Sequence, residues 1–161
     1  MKLIPLTQGQ FAMVDDEDFD FINQWKWYAS KDVRTFYART NIWLHKIGKQ
    51  KTVRMHRYIL LLNNPSVLVD HKDCNGLNNQ KNNLRIATPY QNAANKSSIQ
   101  NGYSKYLGVS WHIKIKRWEA RISKNNKSHY LGVFKNEVDA AIAYNKKATE
   151  LHGEFANLNK F

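Results

Sequence analysis

Asp70 and His71 are adjacent residues that follow the apolar run Val67–Val69, and together they could hydrolyse a phosphodiester bond. That reaction needs a nucleophilic water, a base that deprotonates it, and a cation on the leaving oxygen and the scissile phosphate. Neighbouring side chains of a strand point to opposite sides, so an adjacent Asp-His pair does not normally hydrogen-bond to itself. One residue can therefore hold a metal ion while the other acts on water.

The segment 72–83, which follows this pair, is rich in asparagine. Its composition predicts a loop that side-chain to backbone hydrogen bonds hold in place. A histidine base must present the correct nitrogen, and an asparagine of the loop can orient it. Because carboxylate and amide oxygens suit Mg²⁺, the sequence predicts a site for one such cation beside one imidazole.

Cys74 is the only cysteine of the chain. A single cysteine excludes an intramolecular disulfide and a zinc site built on several cysteines. We interpret Cys74 as a small loop residue rather than a nucleophile, because nothing near it in the sequence is arranged to activate a thiol. No zinc is expected.

The 161 residues carry 25 Lys and Arg against 13 Asp and Glu, a net charge of +12. This surplus favours a polyanionic partner, with nucleic acid first. An anionic membrane and the absence of any such partner are the alternatives, but we find no long basic amphipathic helix to support the membrane. Residues 105–161 hold 11 basic and 5 acidic groups, half of the surplus, which indicates an electrostatic footprint there.

The longest apolar run, residues 58–62, is far too short to span a membrane, and the first residues lack the apolar region of a signal peptide. We therefore expect a soluble protein of the cytoplasm that does not engage membranes.

Residues 1–55 are predicted to be mostly β. The acidic run Asp15–Asp18 is typical of a helix N-terminus. The aromatic residues of the region are interpreted as core packing rather than as base-stacking groups. The predicted strands are Phe11–Val14, Trp25–Tyr28, Phe36–Arg39 and Thr52–Arg54.

The central segment has the order helix, strand, long loop, strand, helix. The first helix covers residues 56–62 and ends before Pro65, since proline disfavours helix at the preceding residue. The strands are predicted at 67–69 and 84–87. The last helix begins at Thr88 and Pro89, with threonine as the N-cap and proline in the first turn. Residues 98–104 are polar and predict a linker.

The C-terminal segment alternates apolar and polar residues over 108–115, 118–122 and 129–134, with a hairpin turn at 125–126. A helix is predicted over 136–151, with Val138, Ala141, Ile142 and Ala148 near one face. This pattern predicts a three-stranded antiparallel sheet packed on one helix. The strand residues expected in its core are Trp111, Trp118, Ala120, Ile122 and Leu131.

Several spaced motifs resemble the HNH endonuclease family, in the variant found in phage and mobile-intron homing nucleases. In chain order they are His56-Arg57, Val69 to Gly76, Asn82-Asn83-Leu84-Arg85, Thr88-Pro89 and Gln91-Asn92. The resemblance covers about residues 55–97 and implies a β-hairpin and a helix that cradle one divalent cation, the ββα-metal fold.

The resemblance also implies a role for each matching position. It makes His71 the general base, Asn83 the residue that orients this base, and Asp70 and Asn92 the ligands of Mg²⁺, for which Mn²⁺ can substitute. Many relatives carry histidine at the last position, so Asn92 leaves open whether one strand or both are cut. The resemblance also suggests DNA-backbone contacts. His56 and Arg57 are candidates that could bind phosphate or cap and pack the site, and Lys96 could touch the backbone.

A second resemblance, over about residues 105–159, is to the AP2 domain, which places a three-stranded sheet on the DNA major groove and a helix behind it. The matching motifs are Tyr106 to Trp111, Trp118 to Ile122, Leu131 to Phe134, Ala140 to Asn145 and Gly153 to Leu158. Leu107, Ser110 and His112 replace first-strand arginines, so base preference does not transfer. The residues expected to face DNA are Ser110, His112, Lys114, Arg117, Arg121, Ser123 and Tyr130.

We therefore predict an α+β protein with four parts: a β-rich region (1–55), an HNH nuclease domain (56–97), a linker (98–104) and an AP2-like DNA-binding domain (105–161). The expected function is metal-dependent cleavage or nicking of double-stranded DNA by a monomer, encoded by a phage or mobile element and working in a bacterial cytoplasm. The alternatives are a DNA-binding regulator with an inactive HNH fold, and an RNA-binding or ribosome-associated protein.

Overall fold

The computed structural model describes residues 1–45, 48–95 and 103–161, which form two compact units, Met1–Thr88 and Pro89–Phe161. Both units combine helices with small antiparallel sheets, so the α+β class is confirmed. The four-part division of the chain stays a prediction, and most of the expected linker lies outside the described residues. None of the helices in the described part has the length and apolar character needed to cross a bilayer.

The first unit contains three sheets, each antiparallel. Strands β1 and β2 form one, β3, β4 and β5 another, and β6 and β7 the third. The strands are β1 (Lys2–Pro5), β2 (Phe11–Val14), β3 (Tyr28–Lys31), β4 (Phe36–Leu44), β5 (Lys49–Arg54), β6 (Leu68–His71) and β7 (Leu84–Ala87), and the helices are α1 (Phe19–Asn23) and α2 (Met55–Ile59).

The core of this unit joins β1, β2, α1, α2 and the central sheet. Alternation along β2 buries Ala12 and Val14 and leaves Phe11 exposed, as expected for a sheet that is covered on one face. The buried cluster consists of Ile4, Ala12, Val14, Ile22, Trp27, Ala38, Met55, Ile59 and Leu77. Leu77 belongs to the loop after β6, so this loop is anchored in the core.

Three sequence predictions about this unit need correction. The strand expected at Trp25 begins only at Tyr28, because Trp27 turns inward as a core residue whose Nε1 donates to the Ile22 carbonyl. Helix α2 ends at Ile59, since Leu61 takes a left-handed conformation with φ of 51°. Strand β6 extends to His71, so the proposed chemical pair lies within the strand rather than after it.

The second unit has a short helix, then a three-stranded sheet in the order β10-β9-β8, then a long helix. Its elements are α3 (Pro89–Ala94), β8 (Val109–His112), β9 (Arg117–Lys124), β10 (Lys127–Phe134) and α4 (Glu137–His152). Asn125 and Asn126 both have positive φ, 51° and 61°, which matches the turn type that suits tight hairpins. The predicted three-stranded sheet with one helix is confirmed.

Helix α4 packs closely on the sheet because small residues lie at the contact. Ala140 and Ala141 are fully buried against Ala120 and Val109. Gly108 has φ of +66°, and a Cβ there would lie 2.2 Å from the ring of Tyr144, so only glycine fits. The side chain of Asn136 caps the helix by accepting from the Asp139 amide at 2.8 Å.

Two predictions for this unit were wrong in detail. The first strand stops at His112, and residues 113–116 form a turn in which Ile113 and Ile115 are exposed. On α4, Val138 and Ile142 are exposed, and the buried face is formed instead by Ala140, Ala141 and Ala148. Trp111 is half-buried and makes an edge contact with Trp118 at 5.0 Å between ring centroids.

Candidate functional site

The β6–β7 hairpin brings together the residues for which the sequence predicts chemistry. Asp70 pairs with Arg85 and His71 with Leu84, and the loop between the strands folds back across them. Asp70 and His71 are each only 5% exposed. Burial of two such polar side chains is costly unless their environment compensates, so their neighbours determine what they can do.

The Asp70 carboxylate is bound by the arginine opposite it. Both Nε and one terminal nitrogen of Arg85 reach the same oxygen, Oδ2, at 2.8 Å. The side chains are 6% and 10% exposed, so this is a buried charge pair. The guanidinium offsets part of the cost of burying the carboxylate, because an unpaired charge inside the fold would be unfavourable.

The imidazole of His71 lies beside the Asn79 side chain. Its Nε2 is 3.4 Å from the Asn79 Oδ1, at the long end of hydrogen-bonding range. Asn79 is completely buried, its amide NH donates to the Met13 carbonyl at 2.8 Å, and its side-chain amide donates to the Leu77 carbonyl at 3.1 Å. Strand β2 therefore fixes the asparagine that contacts the imidazole.

Asn83 holds the loop in place from its other end. Its side-chain amide donates to Asp73 and to the Asn78 carbonyl, each at 2.9 Å, and its Oδ1 accepts from the Asp73 amide at 3.1 Å. The sequence predicted that Asn83 orients the base. In the structure, the contacts of Asn83 hold the loop that carries Asn79. Any effect of these hydrogen bonds on the orientation of the His71 imidazole is therefore indirect.

Gly76 explains why this loop can lie so close to β4. A Cβ at this position would come within 2.5 Å of the Phe36 carbonyl oxygen and 2.7 Å of the Tyr37 ring. The Gly76 amide donates to the Thr35 hydroxyl at 3.0 Å. The loop is thus seated against β4 as well as β2.

Two further rings surround His71. The His56 ring lies edge-on to it, with centroids 5.0 Å apart and planes at 85°, and the Tyr37 ring is 5.8 Å from His71 and 5.9 Å from His56. His56 is 4% exposed and comes from α2. Of the two alternatives that the sequence left open for His56, this position favours packing of the site over contact with phosphate.

Both imidazoles are neutral at physiological pH. Burial lowers the pKa of His56 to about 2, with the neighbouring His71 as the next cause. Burial also lowers the pKa of His71, although the Asn79 contact and the carboxylates of Asp73 and Asp70 oppose this shift. A neutral imidazole has a lone pair, so His71 is in the protonation state that a general base requires.

In the described residues, no group of three or more His, Cys, Asp or Glu is placed to hold a metal ion. The predicted ligands Asp70 and Asn92 offer a carboxylate and an amide oxygen, the donor types that Mg²⁺ takes together with water and phosphate. The other predicted ligand, Asn92, is half-buried on α3 in the second unit, and its part in the site stays a prediction.

Two residues predicted to touch DNA near this site have different outcomes. The guanidinium of Arg57 donates to the carbonyls of Val67, Leu62 and Asn64, which favours the capping role over phosphate binding. Lys96 lies outside the described residues.

The outer face of the C-terminal sheet carries most of the residues predicted to read DNA. Strand pairing places Ser110 opposite Glu119, His112 opposite Arg117, and Tyr130 opposite Arg121. Because side chains alternate along a strand, these residues and Ser123 share the face turned away from α4. The exposed residues of this face are Ser110, Arg117, Arg121, Ser123 and Tyr130. Lys114 is exposed too, but it lies in the turn after β8 rather than on the sheet.

Glu119 is the residue of this face that the sequence reasoning missed. Its carboxylate accepts a hydrogen bond from the Arg121 guanidinium, and this bond raises the pKa of Arg121. The same guanidinium lies over the Tyr130 ring, 5.4 Å from its centroid. An arginine held between a carboxylate and a ring is restricted in direction. Glu119 lies two residues before Arg121, so the sequence alone predicts that the two side chains share a face of the strand.

Comparisons with known proteins agree with the two resemblances that the sequence motifs indicated, one for each part of the chain. No protein-family model matches the chain. An uncharacterized HNH endonuclease, L560 of Acanthamoeba polyphaga mimivirus, is 36% identical over 163 residues, which span 98% of this chain and 79% of that protein. Protein 3.8 of Escherichia phage T7 is 30% identical over 88 residues, which cover 55% of this chain and 72% of that protein. The chain belongs to the HNH endonuclease family.

The chain also contains an AP2-like region. An AP2-like ethylene-responsive transcription factor of Arabidopsis thaliana, At1g16060, is 46% identical over 59 residues, which are 35% of this chain and 17% of the plant protein. The C-terminal sheet packed on α4 is consistent with an AP2 fold. Both resemblances predicted from the sequence are thus confirmed.

Proposed function

We propose that the protein is a metal-dependent DNA endonuclease that hydrolyses a phosphodiester bond at the β6–β7 hairpin, which with α3 would complete a ββα-metal motif. The observation that carries the proposal is the buried His71, whose pKa is lowered, next in strand β6 to the Asp70 carboxylate that Arg85 binds. A DNA-binding protein without catalysis has no need for such a pair.

In this proposal His71 removes a proton from the attacking water. An amide oxygen can only accept a hydrogen bond, so in the contact with Asn79 the proton of His71 is on Nε2 and the lone pair is on Nδ1. Nδ1 is then the atom that takes the proton from water. Asn79 and the edge of the His56 ring hold the imidazole in this orientation, and the neutral His56 adds no charge that would oppose protonation of His71.

Asp70, together with Asn92, would hold Mg²⁺ or Mn²⁺, which when bound polarises the scissile phosphate and stabilises the leaving oxygen. The donor groups are oxygens, which fits these ions and does not suit a zinc site of thiolates. Arg85 binds the Asp70 carboxylate in a defined position through two nitrogens.

The AP2-like sheet would supply much of the DNA affinity. Its outer face has Ser110, His112, Arg117, Arg121, Ser123 and Tyr130, with Lys114 in the adjoining turn. A sheet face can enter the major groove and read base edges, while lysines and arginines hold phosphates. Double-stranded DNA is therefore the proposed partner of both regions. We further propose a monomeric enzyme encoded by a phage or another mobile element, in keeping with a homing role.

The main alternative is a DNA-binding regulator in which the HNH region is inactive. The experiment that separates it from the nuclease is incubation of the full chain with supercoiled plasmid in Mg²⁺, in Mn²⁺, and in EDTA. We expect relaxed or linear plasmid with either cation and none in EDTA. Plasmid that stays supercoiled with both cations, while duplex binding is retained, would establish the regulator.

A separate prediction concerns the sheet. Arg121→Ala should weaken duplex binding about tenfold, because it removes a contact and also leaves the Glu119 carboxylate uncompensated on the DNA-facing surface. Lys114→Ala should lower the slope of log affinity against log salt by about 0.9, the loss of one phosphate contact. Fluorescence anisotropy with a labelled duplex measures both effects. Lys146→Ala, on the exposed side of α4, is the control, and equal behaviour of all three variants would contradict this assignment.

A further inference from the structure

The β4–β5 hairpin has two arginines directly opposite each other. Arg39 of β4 pairs with Arg54 of β5. Like charges in a directly opposed pair destabilise a sheet. Within the described part of the chain, neither guanidinium takes part in an ion pair. The fold therefore carries an electrostatic cost at this point that no ion pair in the described part of the chain offsets.

A second observation at the same place concerns hydrogen bonding. The Nε of Arg39 is buried and has no hydrogen-bond partner among the described residues. A buried donor without an acceptor is unfavourable, and native structures tolerate few of them without a functional reason. An anion between the two guanidinium groups would relieve the repulsion between them.

The position of this pair relates it to the candidate catalytic residues. Arg54 lies over the Tyr37 ring at 5.5 Å, and that ring is 5.8 Å from the ring of His71. The charges of Arg54 and Arg39 also help to lower the pKa of His56, after burial and His71, so both arginines lie near His56, whose ring centroid is 5.0 Å from that of His71. The rings of Tyr37 and His56 thus connect this positive charge to His71.

Alternation along β4 and β5 shows which side chains share a face of the hairpin with Arg39 and Arg54. Tyr37 and Arg39 lie on the same face as Asn41 and Trp43, and on β5 Arg54 shares it with Thr52. Lys51 is paired with Ile42 and points to the opposite face. We call the face with the two arginines the arginine face of the hairpin.

We propose that Arg39 and Arg54 together bind a backbone phosphate of the DNA that is presented to His71, so that the N-terminal β region is part of the nuclease's substrate-binding surface. Two planar guanidinium groups suit the tetrahedral oxygens of a phosphate and form charge-assisted hydrogen bonds with them. This inference rests on the proposed function, because the phosphate belongs to the DNA substrate.

The test measures binding of a labelled duplex of mixed sequence to the full chain in EDTA, so that binding is recorded without cleavage. We expect Arg39→Gln and Arg54→Gln each to weaken binding about tenfold at low salt, as loss of a charged hydrogen bond does. Raising the salt from about 50 to 200 mM should weaken wild-type binding about 3.5-fold more than that of the double variant, which corresponds to one phosphate contact.

Lys51→Gln is the matched control, because it removes one positive charge from the other face of the same hairpin. The lysine variants Arg39→Lys and Arg54→Lys keep the charge and should restore most of the salt dependence, which separates phosphate binding from a folding defect. Since both arginines hold one phosphate, the double variant should lose less affinity than the product of the single losses.

Plasmid cleavage by the same variants separates this inference from the proposed function. If the wild-type chain cleaves plasmid but the arginine variants bind duplex as tightly as wild type, the phosphate site is overturned and the nuclease stands. If the arginine variants lose binding but wild type does not cleave, the phosphate site stands and the nuclease fails. An equal loss in Lys51→Gln would reduce the effect to general charge and overturn the site.

Discussion

His71→Ala is expected to abolish plasmid cleavage while duplex binding is unchanged. Loss of a general base costs about 10²- to 10⁴-fold in rate. His71 contacts His56, Tyr37 and Asn79, all in the first unit, whereas the C-terminal sheet residues proposed to bind DNA belong to the second unit. Cleavage rates on plasmid and anisotropy in EDTA measure the two properties separately. Because the C-terminal sheet would supply much of the affinity, urea unfolding, rather than retained binding, checks that the first unit of the variant is folded.

The pH dependence gives the same residue a second test. A base acts in its neutral form, which dominates above its pKa. Because burial lowers the pKa of His71 below its ordinary 6.5, the wild-type rate should rise with pH below 6.5 and stay level through neutral pH. His71→Gln, which keeps much of the side-chain volume, should lose this rise in whatever activity remains. His45→Ala, an exposed histidine of the same unit, should behave as wild type. A full rise in His71→Gln would assign the base to another group.

Much of the candidate site follows from sequence, but the partner of the imidazole does not. The spacing of Asp70, His71 and Asn83 was readable from the sequence. Segment 72–83 contains five asparagines, and no local pattern favours Asn79 over Asn83 as the residue beside the imidazole. That choice depends on the Asn79 backbone bond to Met13, more than sixty residues earlier, and such a long-range contact has no local pattern.

The errors in the C-terminal unit have a similar cause. Apolar and polar residues continue to alternate past His112, but Lys116 takes a left-handed φ of 48° and the chain turns. On α4 the larger residues Val138 and Ile142 were expected to be buried on hydrophobicity. The helix instead lies so close to the sheet that only Ala140 and Ala141 fit. Tertiary packing distance, which sequence periodicity does not contain, decides such cases.

Asp70→Asn is expected to eliminate cleavage and also to destabilise the first unit. The change removes the anionic oxygen proposed as a metal ligand, and it leaves the buried Arg85 guanidinium without the carboxylate that binds it through two nitrogens. Breaking a buried ion pair at one side typically costs about 3–5 kcal/mol of folding free energy. Urea unfolding in EDTA measures this cost without any contribution from a bound cation.

The loss of activity and the loss of stability can be separated with the partner residue. Arg85→Gln should also destabilise the unit, but it keeps the Asp70 carboxylate and so should retain cleavage at temperatures where the variant is folded. The double variant Asp70→Asn/Arg85→Gln removes both charges and should be more stable than the sum of the single effects predicts, because no buried charge is left alone. It should still fail to cleave plasmid with Mg²⁺ or Mn²⁺. Cleavage restored together with stability in the double variant would mean that Asp70 only supports the fold, and the cation would need another carboxylate.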